Sequence, residues 1–305
     1  MKAVICTKYG APEVLKIMEV EKPTPKDDQL LIKIMASALN YGDTRVRKLE
    51  ANEPIRLIMR FVLGFSKPRN PILGVTFSGV VEGKGAKVKC FNIGDEVFGL
   101  TGFKMGTHAE YTTVSENSMV SKKPVNASFE EAAAIVFGGH TSIYFLEKAK
   151  IKERENPKVL IYGATGAVGT AAIQIAIHYN AQVTAVCSEA GQELVKELGV
   201  KDIILYDKED YTKRREKYDI VYDAIGKISK KQCSPLLNDS SHYVTVAVPS
   251  VAKERIEQLE LLRFLFETGK YKSTIDRVYS MVDIVEAHRY VDTGRKKGNV
   301  VITIQ

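Results

Sequence analysis

The run Val159-Leu160-Ile161-Tyr162-Gly163-Ala164-Thr165-Gly166-Ala167-Val168-Gly169 constrains this chain more than any other stretch. A β-favouring apolar segment meets a glycine-rich turn, and the turn opens directly into an amphipathic stretch over 170–179. Strand, turn and helix in that order are the context a dinucleotide fingerprint needs. Glycine at 166 would let the backbone approach a pyrophosphate, and Gly169 would let the helix pack closely on the sheet. Free N–H groups at the helix start would then face the phosphates. Gly163, Thr165, Gly166, Ala167 and Val168 are therefore the candidate phosphate-binding residues. The pattern reads Ala-x-Gly-x-x-Gly, with Ala164 where the usual fingerprint has its first glycine. A turn that merely packs a helix onto a strand would look similar.

The flanking sequence supports the first reading. An apolar strand is expected over 181–187, a helix over 189–199, and further strands over 202–205, 218–223 and 242–248. Strands alternating with helices imply a parallel sheet covered on both faces, an α/β arrangement. The stretch 159–177 is uncharged enough to suggest a membrane span, but its glycines and its strand-then-helix order argue against one, and no other candidate span exists. Near the N-terminus only residues 3–6 form an apolar core, too short for a secretory signal.

The first 120 or so residues have a different texture. Segments 30–35 and 79–82 look like strands, punctuated by Pro23-Thr24-Pro25, Pro71 and Asn92-Ile93-Gly94-Asp95. Many short strands with turn residues between them suggest a β-rich, barrel-like domain. A helix near 282–293 and a strand over 299–304 could close back onto it, leaving the dinucleotide domain as an insertion.

Composition agrees. A chain of 305 residues has room for about two domains, and 45% hydrophobic with 27% charged residues is ordinary for a globular enzyme. Cys6, Cys90, Cys187 and Cys233 form no Cys-x-x-Cys pair, so neither a disulfide framework nor a cysteine-rich zinc site is indicated, and a cytoplasmic location fits. The formal charge of +7 sits in short basic runs without interleaved aromatics, such as Lys213-Arg214-Arg215, which read as solvated surface rather than a nucleic-acid interface.

Across nearly its whole length the chain resembles the medium-chain dehydrogenase/reductase superfamily, specifically its zinc-independent quinone oxidoreductase branch. The resemblance rests on Met1-Lys2-Ala3-Val4, Asn40-Tyr41-Gly42-Asp43, Gly74-Val75-Thr76-Phe77-Ser78-Gly79-Val80, residues 88–98, the 163–169 turn, residues 218–226 and Gly298-Asn299-Val300-Val301. It implies a GroES-like catalytic domain from residues 1–122 and 270–305, and a Rossmann dinucleotide-binding domain over 123–269. Zinc-dependent relatives place a cysteine where Asn40 stands and a His-Glu pair where Val75 and Thr76 stand. Their four-cysteine lobe is absent here. Asparagine, valine and threonine cannot rebuild a three-ligand zinc site, and the histidines at 108, 140, 178, 242 and 288 show no ligand spacing. No bound metal is expected.

Without a Lewis acid, easy hydride acceptors are favoured. The implied activity is transfer of hydride from a nicotinamide cofactor to a quinone or an activated enone, the cofactor carrying the redox chemistry. The resemblance places the nicotinamide in a cleft lined by Asn40, Thr141, Ala247 and Val248, with Ile225 and Gly226 near the ribose. The bland alternative for Asn40 is a turn residue capping its own backbone. Tyr41 and His140 are the candidate proton donors by position. His140 precedes an expected helix, where histidine commonly caps or packs, and a reduced quinone needs only water for its proton. Two other readings stay open: a dinucleotide-binding sensor or structural protein without useful turnover, and an enoyl-thioester reductase. Relatives of the latter use a tyrosine a few residues beyond the Asn40 segment, and none follows Asp43 closely.

NADPH is favoured over NADH. Phosphate-selecting relatives have serine at the position of Ser188 and tyrosine at that of Tyr206, and both are present. Their basic residue falls near Ala190 or Gln192, so one positive partner is missing, and Glu189 turned inward would favour NADH. The apolar segment 55–65 reads equally as a lid over a flat hydrophobic acceptor, since relatives place it near the substrate mouth, or as an amphipathic helix packed on the first domain. Finally, Val248-Pro249-Ser250 runs almost directly into a helical pattern over 253–268. The sixth strand that relatives use for pairing subunits is expected to be missing. An apolar edge over 242–248 and a helix with surplus apolar positions then point to a homodimer formed near 242–268.

Overall fold

The computed structural model describes every residue except Ala51, Asn52, Pro54, Val248, Pro249 and Gln305. The chain divides into two units, Met1–Val136 with Ile275–Gln305, and Phe137–Thr274.

In the first unit β1 (Lys2–Cys6) and β2 (Leu15–Glu19) pair antiparallel. The long strand β3 (Gln29–Leu39) follows, then two short helices, α1 (Tyr41–Lys48) and α2 (Ile55–Leu63). β4 (Thr76–Lys84), β5 (Glu96–Leu100), β6 (Tyr111–Ser115) and β7 (Val120–Lys122) complete the N-terminal part. Strand alternation explains the packing: Leu30, Ile32 and Ile34 of β3 share one face and are buried, whereas Lys33 between them is exposed. They meet Phe77, Val81, Val97, Val300 and Ile302 in one core. Each such side chain contributes about 1.5–3 kcal/mol by leaving water.

The division between units falls inside α3 (Phe129–Lys148). The second unit then alternates: β8 (Lys158–Tyr162), α4 (Ala167–His178), β9 (Gln182–Cys187), α5 (Gln192–Glu197), β10 (Asp202–Leu205), β11 (Tyr218–Asp223), α6 (Lys230–Cys233), β12 (Leu237–Thr245) and α7 (Ile256–Glu267). Its five strands run parallel in the order β10-β9-β8-β11-β12. Central β8 has Val159, Leu160 and Ile161 all at 0% exposure, as a strand covered on both faces requires. The chain returns to the first unit through β13 (Ile275–Ser280), α8 (Ile284–Asp292) and β14 (Asn299–Thr303), with β14 paired to β13 on one side and to β3 on the other.

Three boundaries differ from the sequence reading. The last strand of the parallel sheet is 237–245 rather than 242–248. It begins in the polar run Leu237-Asn238-Asp239-Ser240-Ser241, which carries no apolar alternation because this edge strand has one partner and exposes residues 238–240. The expected helix over 189–199 splits into a tight turn, Glu189–Gly191, and α5; a Cβ at Gly191, where they meet, would fall 2.4 Å from the Thr165 side chain. The helix expected over 253–268 begins three residues later, at Ile256. Among the described residues no further strand pairs with β12. No described helix is long and apolar enough to cross a membrane.

Candidate functional site

The turn after β8 uses its glycines for different reasons. Gly163 has φ +79° and takes the tight-turn role that the fingerprint usually gives to the next position, where Ala164 is buried instead. A Cβ on Gly169 would fall 2.2 Å from the Gly163 carbonyl oxygen, so α4 sits directly on the turn. Gly166 is unlike both. Its φ of −76° suits any residue, and a Cβ there would meet nothing closer than 3.6 Å. The fold does not require glycine at 166, whereas a ligand laid against its backbone would. Gly166 also caps α4 without a side chain, leaving the first-turn N–H groups from Ala167 and Val168 onward to an incoming anion. Thr165 packs on Gly191, which ties the turn to the segment after β9.

That segment forms the second corner. The Tyr206 N–H donates to the Cys187 carbonyl at 3.0 Å, which sets Tyr206 beside Ser188. Tyr162, Tyr206, Asp207, Lys208, Glu209, Asp210 and Tyr211 line a cavity of about 440 Å³. Glu189 stays exposed rather than turning inward. Its carboxylate pairs with Lys208, and its N–H donates to both oxygens of Asp207 at 3.2 and 3.1 Å. Lys208 is thus a cation at this corner that the sequence reading passed over. The signal was its place two residues after Tyr206, outside the 190–192 window.

A third corner is organised by Asp223, fully buried at the end of β11. Its Oδ1 accepts the N–H groups of Ile225, Gly226 and Lys227 at 3.3, 2.8 and 3.2 Å. Its Oδ2 accepts the Ile228 N–H at 3.2 Å and the Thr245 hydroxyl at 2.9 Å. One carboxylate therefore holds the whole loop. Ile225 is carried over the glycine turn, its side chain standing 2.6 Å from where a Gly163 Cβ would be. Gly226, at φ +71°, lies against Ala247, whose backbone would be 3.1 Å from a Cβ. Gly163, Gly166, Ile225, Gly226 and Ala247 thus converge. Val248 lies outside the described residues. The role of Asp223 left no trace in the sequence, because carboxylate-to-backbone bonding has no distinctive spacing.

Helix α3 meets this region through Gly138, where a Cβ would fall 2.3 Å from the Ala167 carbonyl oxygen, and through Ser142, whose hydroxyl donates to the Val168 carbonyl at 2.9 Å. Thr141 lies between them, 6% exposed. His140 is not ahead of a helix, as the sequence suggested, but well inside α3. It is buried, with Nδ1 2.9 Å from Gln258 Oε1 of α7. Burial pushes its pKa below the usual histidine range, against a smaller opposing effect of Gln258.

The first unit holds the remaining candidates. Asn40 is the N-cap of α1, 3% exposed, and its Nδ2 donates to the Ala38 carbonyl at 3.0 Å. Asp43 accepts the Asn40 and Gly74 N–H groups at 2.8 and 3.1 Å, fixing the loop from both sides. Burial pushes the Asp43 carboxyl up to about 7, against the pull of those two bonds. Tyr41 is 51% exposed, with its hydroxyl 3.2 Å from Glu50 Oε1. Thr76 Oγ1 bonds both the N–H and the carbonyl of Ala38. Among the described residues no three His, Cys, Asp or Glu side chains are grouped as metal ligands.

Known proteins resemble the chain over both units. Residues 26–124 match the family model of the alcohol dehydrogenase GroES-like domain, and residues 167–280 that of the zinc-binding dehydrogenases. The chain is 37% identical to the 2-methylene-furan-3-one reductase of Solanum lycopersicum, across 99% of this chain and 79% of that protein. It is 31% identical to the chloroplastic NADPH-dependent alkenal/one oxidoreductase of Arabidopsis thaliana, with the same shares covered. The structure of the quinone oxidoreductase from Coxiella burnetii superposes with a TM-score of 0.90 at 27% identity, covering 100% of this chain and 99% of that one. A turn whose middle glycine the packing does not require, N–H groups at a helix start and a three-cornered strand end fit a nicotinamide dinucleotide. The chain belongs to the medium-chain dehydrogenase/reductase superfamily, in its quinone oxidoreductase branch, and is a nicotinamide-dependent oxidoreductase.

Proposed function

We propose that this enzyme uses NADPH to reduce a quinone or an activated enone without zinc. The observation that carries the cofactor half is Gly166, a glycine that the surrounding fold does not need. The acceptor half draws on the relatives named for quinones, alkenals and enones. It also draws on Asn40, Val75 and Thr76, which lack the donor atoms of a zinc site. When bound, the cofactor supplies the hydride. The 163–168 backbone would hold its pyrophosphate, Ile225 and Gly226 its ribose, and Asn40, Thr141, Ala247 and Val248 its nicotinamide end. Of the two candidate donors, Tyr41 is the exposed one, with its hydroxyl 3.2 Å from Glu50 Oε1. His140 is buried and tied to Gln258.

Ser188, Tyr206 and Lys208 favour NADPH. Lys208 supplies the positive charge missing at Ala190 and Gln192, exchanging its bond with Glu189 for the 2′-phosphate. A charge-assisted bond of about 1.5–3 kcal/mol corresponds to roughly tenfold to a hundredfold in affinity. Lys208→Ala should weaken NADPH binding by that factor in a fluorescence titration and leave NADH unchanged; equal loss for both cofactors would remove Lys208 from this role. The four free cysteines suit a reducing compartment such as the cytoplasm.

Stopped assays of NADPH oxidation with a panel of quinones and enones test the activity, and comparison of kcat/KM for NADPH and NADH tests the cofactor. Turnover is expected to be unchanged by a chelator, with no stoichiometric zinc on metal analysis. One tightly held zinc per chain, or activity lost with the chelator, would overturn the metal-free reading.

A further inference from the structure

Helix α2 neither packs on the barrel as an amphipathic helix ordinarily would nor lacks an apolar side. Leu57, Ile58, Phe61 and Val62 are 50, 59, 58 and 65% exposed, Phe65 just beyond is 53% exposed, and no residue of the helix is buried. Only Met59 and Leu63 turn partly inward. By contrast α8, of the same length, buries Ile284, Ala287, His288 and Val291. A nine-residue helix is marginal in water on its own, yet this one is clamped at its C-terminal end. The Tyr9 hydroxyl donates to the Gly64 carbonyl at 2.9 Å, and Arg69 donates from Nη2 to the Phe61 carbonyl at 2.8 Å and from its N–H to the Leu63 carbonyl at 2.6 Å. The apolar side is held outward by construction.

Charge says what it meets. Glu53, just before the helix, pairs with Arg56 at 2.7 Å; from residue 54 to 81 the chain has no aspartate or glutamate, while Arg56, Arg60, Lys67 and Arg69 are all exposed. We propose that α2 docks this protein on the surface of an anionic lipid bilayer, with Leu57, Ile58, Phe61 and Val62 in the headgroup–acyl boundary and the basic residues against lipid phosphates. A basic amphipathic helix lying in the interface has this composition, and a helix of about 13 Å is far too short to span. A second copy of the chain is a poorer occupant. Pairing α2 with itself would set its arginines against their own copies, and one short helix face falls well below the roughly 800 Å² per partner that a stable dimer buries. Docking would bring the enzyme to the phase in which long-chain quinones dissolve. That consequence rests on the reductase reading; the docking itself does not.

Flotation with quinone-free vesicles tests the docking apart from the chemistry. The protein should float with vesicles of phosphatidylcholine and phosphatidylglycerol in equal parts, less with phosphatidylcholine alone, and less as salt is raised. The double variant Ile58→Asp/Phe61→Asp should lose about tenfold or more in vesicle affinity. Its melting temperature and NADPH titration should stay as in the parent, since both side chains are exposed. Arg56→Gln/Arg60→Gln should weaken binding to the anionic vesicles while leaving the weaker binding to phosphatidylcholine. No flotation of the parent, equal flotation of the aspartate variant, or a dimer in solution that this variant dissolves would overturn the proposal. Flotation without turnover on any quinone or enone would instead count against the reductase reading alone.

Discussion

At Gly169 a side chain would collide with the turn carbonyl, and at Gly166 it would meet nothing closer than ordinary contact distance. The two glycines should therefore fail differently. Gly169→Ala should lower the melting temperature by several degrees, matching a packing clash of about 1–3 kcal/mol. Gly166→Val should melt close to the parent, yet lose cofactor affinity by a factor of about ten or more, because the side chain would occupy the space of the pyrophosphate. Unchanged affinity in a folded Gly166→Val protein would remove the turn from the site. Both glycines were legible in the sequence from their spacing. The residues that hold the rest of the site were not. Asp223 works through main-chain N–H groups that any sequence supplies, and Lys208 reaches its corner only because Tyr206 pairs with Cys187.

Among the elements, β10 and β11 fell at the expected bounds, 202–205 and 218–223. β11 lies inside the sheet and buries Ile220, Val221 and Tyr222, as a strand covered on both faces requires. The other two are edge strands: β10 kept a short apolar run, Ile203-Ile204-Leu205, whereas β12 was harder to read because it begins in a polar one. For residues 55–65 the sequence left open a lid or an amphipathic helix packed on the first domain; α2 is a helix with no buried residue, its apolar side facing outward. The edge itself carries an expectation about assembly. α7 packs on α3, with Leu262 filling the space beside Gly139, and leaves Phe264 half exposed. We expect a homodimer formed through the β12 edge and this helix. Light scattering across a dilution series should show it, and Val246→Lys should shift it toward monomer. A monomer at every concentration, or a dimer indifferent to the variant, would refute this geometry.

Across the whole molecule, buried titratable groups of the first unit set opposing pH dependences. Burial pushes His108 down to about 4, and burial, His108, Arg47 and Lys48 push His288 down as well. In the unfolded chain both take a proton near pH 6.5. The unfolded state thus binds more protons below that value, so their contribution to stability is complete above about pH 6.5 and is lost toward pH 4. Asp43, held up at about 7, acts in reverse: its contribution is complete below about pH 4 and is lost as the pH rises through 7. Measured by urea denaturation from pH 7 to 5, His108→Gln should gain about 2 kcal/mol relative to the parent, and Asp43→Asn should lose ground by a similar amount. Parallel curves would show that these groups do not titrate across folding. The split of the first unit carries a different consequence, for the order in which a nascent chain can fold. β14 lies between β13 and β3, and its Val300 and Ile302 are wholly buried. On a ribosome β3 must wait for that strand on the order of tens of seconds. The dinucleotide unit, continuous in sequence, is finished first. Vectorial synthesis therefore inverts the printed order: the unit that begins the chain is the last to close, and until it does, the open flank of β3 is the surface most in need of a chaperone.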